Sequence, residues 1–184
     1  VVNMIFTSCQ KDLGERIEVD IKVPPFTQIR NDANVDIILS QGPVYSVFYD
    51  GYSLVFDDLD FSVSRDKLII HQIGKFWSTG NSDIYIVVPD LSLIEVTSSG
   101  DIYGDSKFVP RGDLEIMMEG SGDIDMYLDV PELWTTIYGS GDLRLSGIAD
   151  FHTIEHNGSG YIYNFGFRSE AVRIVQTGIG RSEI

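Results

Sequence analysis

Gly120-Ser121-Gly122-Asp123-Ile124 is the stretch that decides the fold, because close copies of it return along the chain. The copies are Gly139-Ser140-Gly141-Asp142-Leu143 and Gly158-Ser159-Gly160-Tyr161-Ile162, with looser versions at Ser98-Ser99-Gly100-Asp101-Ile102 and Gly178-Ile179-Gly180-Arg181-Ser182. The second glycines of these copies are 22, 19, 19 and 20 residues apart. Near-constant periods of this length are typical of solenoids, in which every repeat adds one coil.

The composition of the chain favours an all-β protein. The 184 residues include 18 glycines, 10 phenylalanines and 9 tyrosines, a composition that suits short strands joined by turns. No long run of apolar residues has helical spacing. The chain is long enough to bury a sizeable core.

Two columns of apolar residues keep fixed distances from the glycines and predict the interior of the coils. They are Ile94, Ile116, Thr135, Ile154 and Ile174, and then Ile102, Ile124, Leu143 and Ile162. Each rung would be a strand, a glycine corner and a second strand, stacked about 4.8 Å from the next rung. Glycine suits such a corner because it tolerates positive φ and close backbone contact.

Three regions follow from these patterns. Residues 1–16 form a signal-like segment and a tether, and residues 17–90 form an N-terminal antiparallel strand region with alternating apolar and polar positions. Residues 91–184 form a β-solenoid of about 19–22-residue rungs, and the last rung is expected to be truncated. The acidic stretch 57–65 reads as a mobile excursion.

The first nine residues predict export. Val1 to Ser8 is an apolar run that ends in small residues directly before Cys9, the one cysteine in the chain. This pattern is similar to a bacterial lipoprotein cleavage site, at which Cys9 would become the lipidated first residue. The alternative is an N-terminal strand with a buried thiol.

The charge balance excludes one class of partner. Thirteen Lys and Arg against 28 Asp and Glu give a net charge of −15, so no basic face for a nucleic acid can be assembled. No stretch is long enough to cross a bilayer as a helix. A membrane would be contacted only through a lipid anchor at Cys9.

The repeated Gly-Ser-Gly-Asp-Ile corner resembles the head-GIN domain family. The preceding region, with Val35 to Gly42 and Val87 to Leu91, resembles that family as well, and the likeness covers residues 17–184. The resemblance implies a right-handed β-helix-like fold and an adhesin that is secreted or lipid-anchored in Bacteroidetes. It implies no catalytic residues.

One outward column follows the second glycines and holds the candidate metal site. It contains Asp101, Asp123 and Asp142, which successive rungs place about 5 Å apart. Carboxylate oxygens are ligands that Ca²⁺ favours, so Ca²⁺ is the one candidate cofactor. Alternatively, each carboxylate stabilises its own turn and stays hydrated.

Exposed aromatic residues are the candidate ligand-binding residues. The alternation of inward and outward positions turns Trp134 and Tyr138 outward, beside acids and amides, and Tyr161 occupies the aspartate column. Trp77, near a turn that contains glycine, could extend the patch. Such rings stack on sugars while polar neighbours bind hydroxyl groups, although they could equally pack on the first region or on a protein partner.

Signals for catalysis or cell attachment are few. The column that His156 shares with Val96, Met118, Ile137 and Gln176 predicts a half-buried, hydrogen-bonded residue rather than a base. Neither Ser159 nor Cys9 has a placed histidine and acid to activate it. Arg111-Gly112-Asp113 matches an integrin ligand but is also ordinary turn chemistry.

The sequence therefore predicts a non-catalytic exported protein that binds a glycan or a surface protein. One alternative is a carbohydrate-active β-helix enzyme of polysaccharide-lyase type, in which Asp123, Asp142 and Arg144 would act together. Another is a structural module that forms homo-oligomers through the open edge of its last coil.

Overall fold

The structure is a computed structural model that describes residues 13–74 and 79–184. In these residues the chain forms fourteen strands and one short helix. In chain order they are β1 (Arg16–Ile21), β2 (Gln28–Asp32), β3 (Asp36–Gln41), β4 (Ser46–Tyr52), α1 (Ser53–Phe56), β5 (Leu59–Ser64), β6 (Lys67–Gln72), β7 (Asp83–Val88), β8 (Leu93–Val96), β9 (Ile102–Phe108), β10 (Leu114–Met118), β11 (Ile124–Ile137), β12 (Leu143–His156), β13 (Tyr161–Gln176) and β14 (Arg181–Glu183). The predicted all-β class is confirmed.

The repeats pair side by side as parallel strands. Ile94, Ile116, Thr135, Ile154 and Ile174 are direct partners across β8, β10, β11, β12 and β13. The second column is equally in register, since Ile124 pairs with both Ile102 and Leu143, and Leu143 pairs with Ile162. The register of both predicted columns is confirmed, and so is their burial except at Ile174, which is 43% exposed in the outermost long strand.

One sheet contains all fourteen strands and folds back on itself. The long strands β11, β12 and β13 join its two halves, because the first part of β11 pairs with β9 and its last part pairs with β10. The sheet curls into a nearly closed, barrel-like shape around a single apolar core. Side chains that point away from the core therefore lie on two different outer faces.

The N-terminal region departs from the prediction, because it is only partly antiparallel. The pairs β1/β4, β4/β7 and β5/β6 are antiparallel, but β2/β6 and β3/β7 are parallel. The reason is that β2 with β3, and β6 with β7, pair in register as the repeats do. We call each such set of two consecutive strands, paired with the two strands of a neighbouring set, a coil. Leu68 and Ile29 extend one inward column, and Ile84 and Ile37 extend the other.

The order of the coils in space differs from their order in sequence. The coil that contains β2 and β3 lies between the coil of β6 and β7 on one side and the coil of β8 and β9 on the other. Its residues pair with residues 65 positions later in the chain, as Asp36 does with Asp101. The parallel repeats therefore begin within residues 17–90, which the sequence assigned to a separate N-terminal region.

The acidic stretch 57–65 is structured rather than an excursion. Residues 59–64 form β5, which pairs along its whole length with β6. Arg65 and Asp66 connect the two strands with φ values of 50° and 68°. Two consecutive residues with positive φ make the tight turn whose twist matches an antiparallel hairpin.

The glycine corners exist because neighbouring backbones come very close. A Cβ atom on Gly139 would lie 1.9 Å from the carbonyl oxygen of Gly120, and one on Gly141 would lie 2.0 Å from that of Gly122. The corner glycines do not have positive φ, so close approach is what requires them.

Candidate functional site

The aspartate column is a ladder of hydrogen bonds between coils. The Oδ1 atom of Asp101 accepts the backbone N–H of Asp123 at 2.7 Å, and that of Asp123 accepts the N–H of Asp142 at 2.8 Å. Asp142 does the same for the N–H of Tyr161 at 2.8 Å. Each carboxylate therefore joins two coils, whereas the sequence placed it on its own turn.

The ladder is longer than the repeat predicts. Asp36 accepts the N–H of Asp101 at 2.9 Å, Asp83 lies beside Asp36, and Asp50 lies beside Asp83. Six aspartates thus lie in, or directly before, six neighbouring strands. Burial raises the pKa of Asp36, with a further contribution from the charges of Asp101 and Asp83, and burial together with the charge of Asp50 raises the pKa of Asp83.

Arginines bind the ladder near its two ends. Arg16 forms an ion pair with Asp50. At the other end, the two terminal nitrogens of Arg144 each lie 3.1 Å from a carboxylate, one from Asp123 and the other from Asp142. These bonds partly offset the repulsion between carboxylates about 5 Å apart, which is worth about 3 kcal/mol at a surface dielectric constant.

Arg144 is also the centre of an aromatic group. Its guanidinium lies 5.1 Å from the centre of the Tyr163 ring, within the range of a cation–π contact. The Tyr163 ring in turn stacks on Tyr161, with centres 5.9 Å apart and planes inclined by 15°. We call Arg144, Tyr161 and Tyr163 the aromatic–guanidinium group.

A row of outward side chains extends from this group across the sheet. The row crosses β4, β7, β3, β9, β11, β12 and β13, and successive members are strand partners. Its members are Phe48, Tyr85, Ile38, Tyr103, Asp125, Arg144 and Tyr163. We call this row the tyrosine row; it runs beside the aspartate ladder, two residues away from it on each strand.

Tyr103 connects the row to the ladder. Its hydroxyl donates to Oδ2 of Asp101 at 2.6 Å, and this hydrogen bond together with burial raises the pKa of Tyr103 well above its usual value. Its ring keeps 39% of its surface exposed, as does the ring of Tyr85. The Tyr103 hydroxyl therefore stays neutral at physiological pH, and both side chains are accessible.

The structure separates the candidate binding residues that the sequence grouped. Trp134 is exposed on the other outer face, in a column with Glu115, Thr153 and Arg173. Tyr138 is exposed at the corner between the two faces, and Tyr161 belongs to the aromatic–guanidinium group. Trp77, like Cys9, lies outside the described residues.

The calcium hypothesis gains no support from the geometry. In residues 13–74 and 79–184, no three His, Cys, Asp or Glu side chains converge in a way that could hold a metal ion. Asp101, Asp123 and Asp142 already use oxygens for backbone N–H groups, Tyr103 and Arg144. A Ca²⁺ site there stays a prediction for titration to test.

The histidines of the repeats are interior residues. His156 is hydrogen-bonded as predicted, with its Nδ1 3.1 Å from the hydroxyl of Ser182, but it is fully buried rather than half-buried. His152 is 1% exposed, with Nε2 2.9 Å from the Thr135 hydroxyl, and burial lowers its pKa to about 4. Neither residue has the exposure that a catalytic base for an external substrate needs.

A shallow cleft lies where the long strands pass from one half of the sheet to the other. Its volume is about 320 Å³, and its walls combine Val130, Ile148 and Ala149 with Asp129, Asp150, Arg168, Ser169 and Glu170. Asp129 is held by Lys107 at 2.6 Å. The cleft thus brings acids together with one arginine.

Arg111-Gly112-Asp113 forms an exposed turn between β9 and β10, as its position in the longest repeat interval suggests. The backbone N–H of Arg111 donates to Asp90 at 3.0 Å, which anchors the turn. A Cβ on Gly112 would meet nothing within 4 Å.

No helix in the described ranges has both the length and the apolar character that a membrane crossing requires.

Stacked parallel repeats with exposed aromatic and charged rows define a repetitive all-β protein. Residues 25–184 match the family described as "Putative auto-transporter adhesin, head GIN domain", and the chain belongs to this family. The predicted family is confirmed, and membership indicates an exported or surface protein. No match was found among curated proteins.

Solved structures share the fold. A putative adhesin from Bacteroides fragilis superposes with a TM-score of 0.86 at 24% identity, over 91% of this chain and 79% of the other. A putative adhesin from Parabacteroides merdae gives 0.65 at 16% identity, over 92% and 80%. A putative lipid binding protein from Parabacteroides distasonis gives 0.63 at 18% identity, over 88% and 78%.

Sequence reasoning missed most of the tyrosine row. Tyr85, Tyr103 and Tyr163 carried no motif, and only their shared outward position two residues beyond the aspartate ladder could have indicated them. Asp36, Asp50 and Asp83 were missed because no Gly-Ser-Gly corner precedes them.

Proposed function

We propose that this protein is a non-catalytic, exported surface protein that binds a glycan through the aromatic–guanidinium group. The observation that carries the proposal is the stacking of Tyr161 on Tyr163 beneath the guanidinium of Arg144. Aromatic faces cover the apolar C–H surface of a sugar ring, and the neighbouring carboxylates accept hydrogen bonds from its hydroxyls. Membership of an adhesin family supports binding as the role.

A glycan array probed with the soluble protein tests this proposal. The wild type is expected to bind at least one class of glycan, and the Tyr161→Ala/Tyr163→Ala double variant is expected to lose that signal. A Trp134→Ala variant, which removes an exposed ring from the other face, serves as the matched control. A folded wild-type protein that binds no glycan, or a double variant that binds normally, contradicts the proposal.

A carbohydrate-active enzyme is the second candidate, because the cleft near Arg168 combines carboxylates with an arginine. A lyase would use a carboxylate there to remove a proton from the sugar and Arg168 to neutralise the sugar's own carboxylate, while the glycosidic oxygen leaves with the electrons of the broken C–O bond and is protonated. Incubation with acidic polysaccharides, followed by the ultraviolet absorbance of unsaturated products, tests this function. Product formation that Arg168→Met abolishes would establish it, and an unchanged absorbance would exclude lyase activity on those substrates.

We also propose that the protein is lipid-anchored at Cys9. The support is the apolar run before Cys9 and the small residues Thr7 and Ser8. Metabolic labelling with a radioactive fatty acid tests the anchor. Label that is present in the wild type and absent in Cys9→Ser is the expected result, and equal labelling would contradict it.

The coils are proposed to wind as a right-handed solenoid. The support is general, since connections between neighbouring parallel strands of one sheet are right-handed in about 98% of cases. A crystal structure checks the hand directly.

Homo-oligomer formation through the open edge is a further proposal. In the described chain β13 pairs with β14 over only Tyr161, Ile162 and Tyr163, and the rest of that edge has no strand partner. Ile174, an inward-column residue, is 43% exposed there. Light scattering that shows a strict monomer at high concentration would exclude this assembly.

A further inference from the structure

We propose that the ligand is a linear, non-acidic polysaccharide that lies along the tyrosine row, across the strands and parallel to the axis of the stack. This inference rests on the proposed function and adds the class of glycan and its direction. The row gives an extended surface rather than a single binding pocket.

The spacing of the row sets the length of the surface. Tyr85 and Tyr103 are two strands apart, and Tyr103 and Tyr163 are three strands apart. With about 4.8 Å between neighbouring strands, the rings are about 10 Å and 14 Å apart, and the whole row from Tyr85 to Tyr163 is about 24 Å long. A surface of this length can contact several consecutive sugar rings.

The members of the row alternate in a way that suits a chain of sugars. The exposed aromatic side chains of Tyr85 and Tyr103 offer stacking surfaces, and Ile38 adds an apolar contact between them. At the far end Tyr163 is packed between Arg144 and Tyr161, and the exposed Tyr161 adds the third ring. Asp125 and Arg144 lie between Tyr103 and Tyr163 and offer an acceptor and a donor. Sugars present both C–H faces and hydroxyl edges, so this alternation matches them along the chain.

The charge beside the row selects against acidic glycans. The aspartate ladder runs parallel to the row on the same outer face, with six carboxylates. The two arginines at its ends are already engaged by Asp50, Asp123 and Asp142. A uronate polymer would therefore meet repulsion along its length, whereas neutral or amine-bearing sugars would find acceptors.

The row has the rigidity that such a surface needs. Every member lies on a strand, and the residues directly before Tyr103 and Tyr163, Ile102 and Ile162, belong to a buried column. The Tyr103 hydroxyl is fixed by Asp101, and the Tyr163 ring is held between Tyr161 and Arg144. Ordered rings reduce the entropy cost of binding.

Isothermal titration with three soluble probes tests the inference. The probes are a β-1,4-glucan series from disaccharide to octasaccharide, chitosan oligosaccharides of matched length, and polygalacturonate. We expect affinity to rise with chain length until the row is covered, and polygalacturonate to bind at least tenfold more weakly. Tyr103→Ala and Tyr163→Ala are each expected to weaken binding by about fivefold, since one ring contact is worth about 1 kcal/mol.

Two variants serve as controls. Tyr103→Phe keeps the ring and removes the hydroxyl that Asp101 holds, so it should bind more tightly than Tyr103→Ala and should separate loss of the ring from loss of that hydrogen bond. Trp134→Ala changes the other face and should leave affinity unchanged. Thermal melting of every variant verifies that it is folded.

The outcomes separate this inference from the proposed function. Any of four results overturns the inference while glycan binding itself stands. They are full affinity already at a disaccharide, binding that survives Tyr103→Ala, binding that depends on Trp134, and a preference for polygalacturonate. Binding of a basic peptide such as oligolysine, with no binding of any glycan, overturns both. If none of the three probes binds but the array shows binding of another glycan, that glycan decides the outcome. The inference is overturned if the glycan is acidic or branched, or if its binding does not depend on Tyr103.

Discussion

The Oδ1 atom of Asp123 accepts the backbone N–H of Asp142 at 2.8 Å, across the gap between two coils. The same carboxylate holds Arg144 with its other oxygen at 3.1 Å. One side chain thus links three residues and two coils. Because the motif repeats, the aspartates that suggested a metal site are structural links between neighbouring backbones.

Replacing Asp123 should therefore lower stability more than its partial exposure suggests. Asp123→Ala leaves the N–H of Asp142 without its acceptor and releases one bond to Arg144, and we expect a loss of about 1–3 kcal/mol. Asp123→Asn keeps an oxygen acceptor and should cost less. Urea unfolding measures both, and Asp125→Ala, at an exposed position on the same strand, is the control expected to stay within about 0.5 kcal/mol. Equal stabilities for Asp123→Ala and Asp125→Ala would show that the link contributes nothing.

A methyl group at a glycine corner should be strongly destabilising. In Gly139→Ala the new Cβ would lie 1.9 Å from the carbonyl oxygen of Gly120, and neither backbone can move without breaking the stack. We expect a loss of at least about 3 kcal/mol, at the upper end of the cost of overpacking. Gly112→Ala is the matched control, because its Cβ meets nothing within 4 Å. Thermal melting compares the two variants, and similar melting temperatures would contradict the close approach.

Acid should weaken the fold through His152. Burial lowers its pKa from 6.5 to about 4, so between these values the unfolded chain binds a proton that the folded chain does not. The stability linked to this residue is complete above pH 6.5 and is lost as the pH falls towards 4, by about 3 kcal/mol in total. Burial lowers the pKa of His156 as well, which acts in the same direction.

Urea unfolding at several pH values between 7 and 4 tests this expectation. His152→Leu removes the titrating group, so its stability should depend less steeply on pH than that of the wild type. The loss of the hydrogen bond to Thr135 lowers the stability of the variant at every pH and does not change that slope. Identical slopes for the two proteins would show that His152 is not the group responsible.

Calcium should have no effect on stability if the ladder is purely structural. We expect neither heat on titration with Ca²⁺ nor a change in melting temperature between excess Ca²⁺ and a chelator. A ligand that binds only the folded state would raise the melting temperature in proportion to its occupancy. A clear shift that Asp142→Asn abolishes would revive the metal hypothesis.

The repetitive half of the molecule was predicted well from the sequence, because every rung has the same spacing between its glycine corner and its inward positions. Ile116, Thr135 and Ile154 share a column since the period fixes where each inward position falls. The family could be identified for the same reason.

The coil of β2 and β3 could not be predicted by the same reasoning, because the turn between its two strands does not contain the repeated glycines. The side chain of Asn31 accepts the backbone N–H of Ala33 at 3.1 Å and donates to the carbonyl of Val35 at 3.0 Å. An asparagine-stabilised turn therefore replaces the two glycines. Without the glycine pattern, neither the parallel pairing of β2 and β3 nor the extension of the ladder to Asp36 was visible.

The aromatic–guanidinium group was also out of reach of sequence reasoning. A period of 19 residues places Arg144 beside Tyr163 on neighbouring strands, but it does not say which way a long guanidinium side chain turns. That direction depends on the carboxylates of Asp123 and Asp142, which hold both terminal nitrogens.

The position of the coil formed by β2 and β3 has a consequence for how the chain folds during synthesis. This coil leaves the ribosome before the coils on either side of it, so later strands can pair with it on both sides. On one side it pairs with β6 and β7, and on the other with β8 and β9, whose residues lie 65 positions later. Contacts of such long sequence separation slow folding, so mutations in this coil are expected to retard folding more than mutations in the last coils.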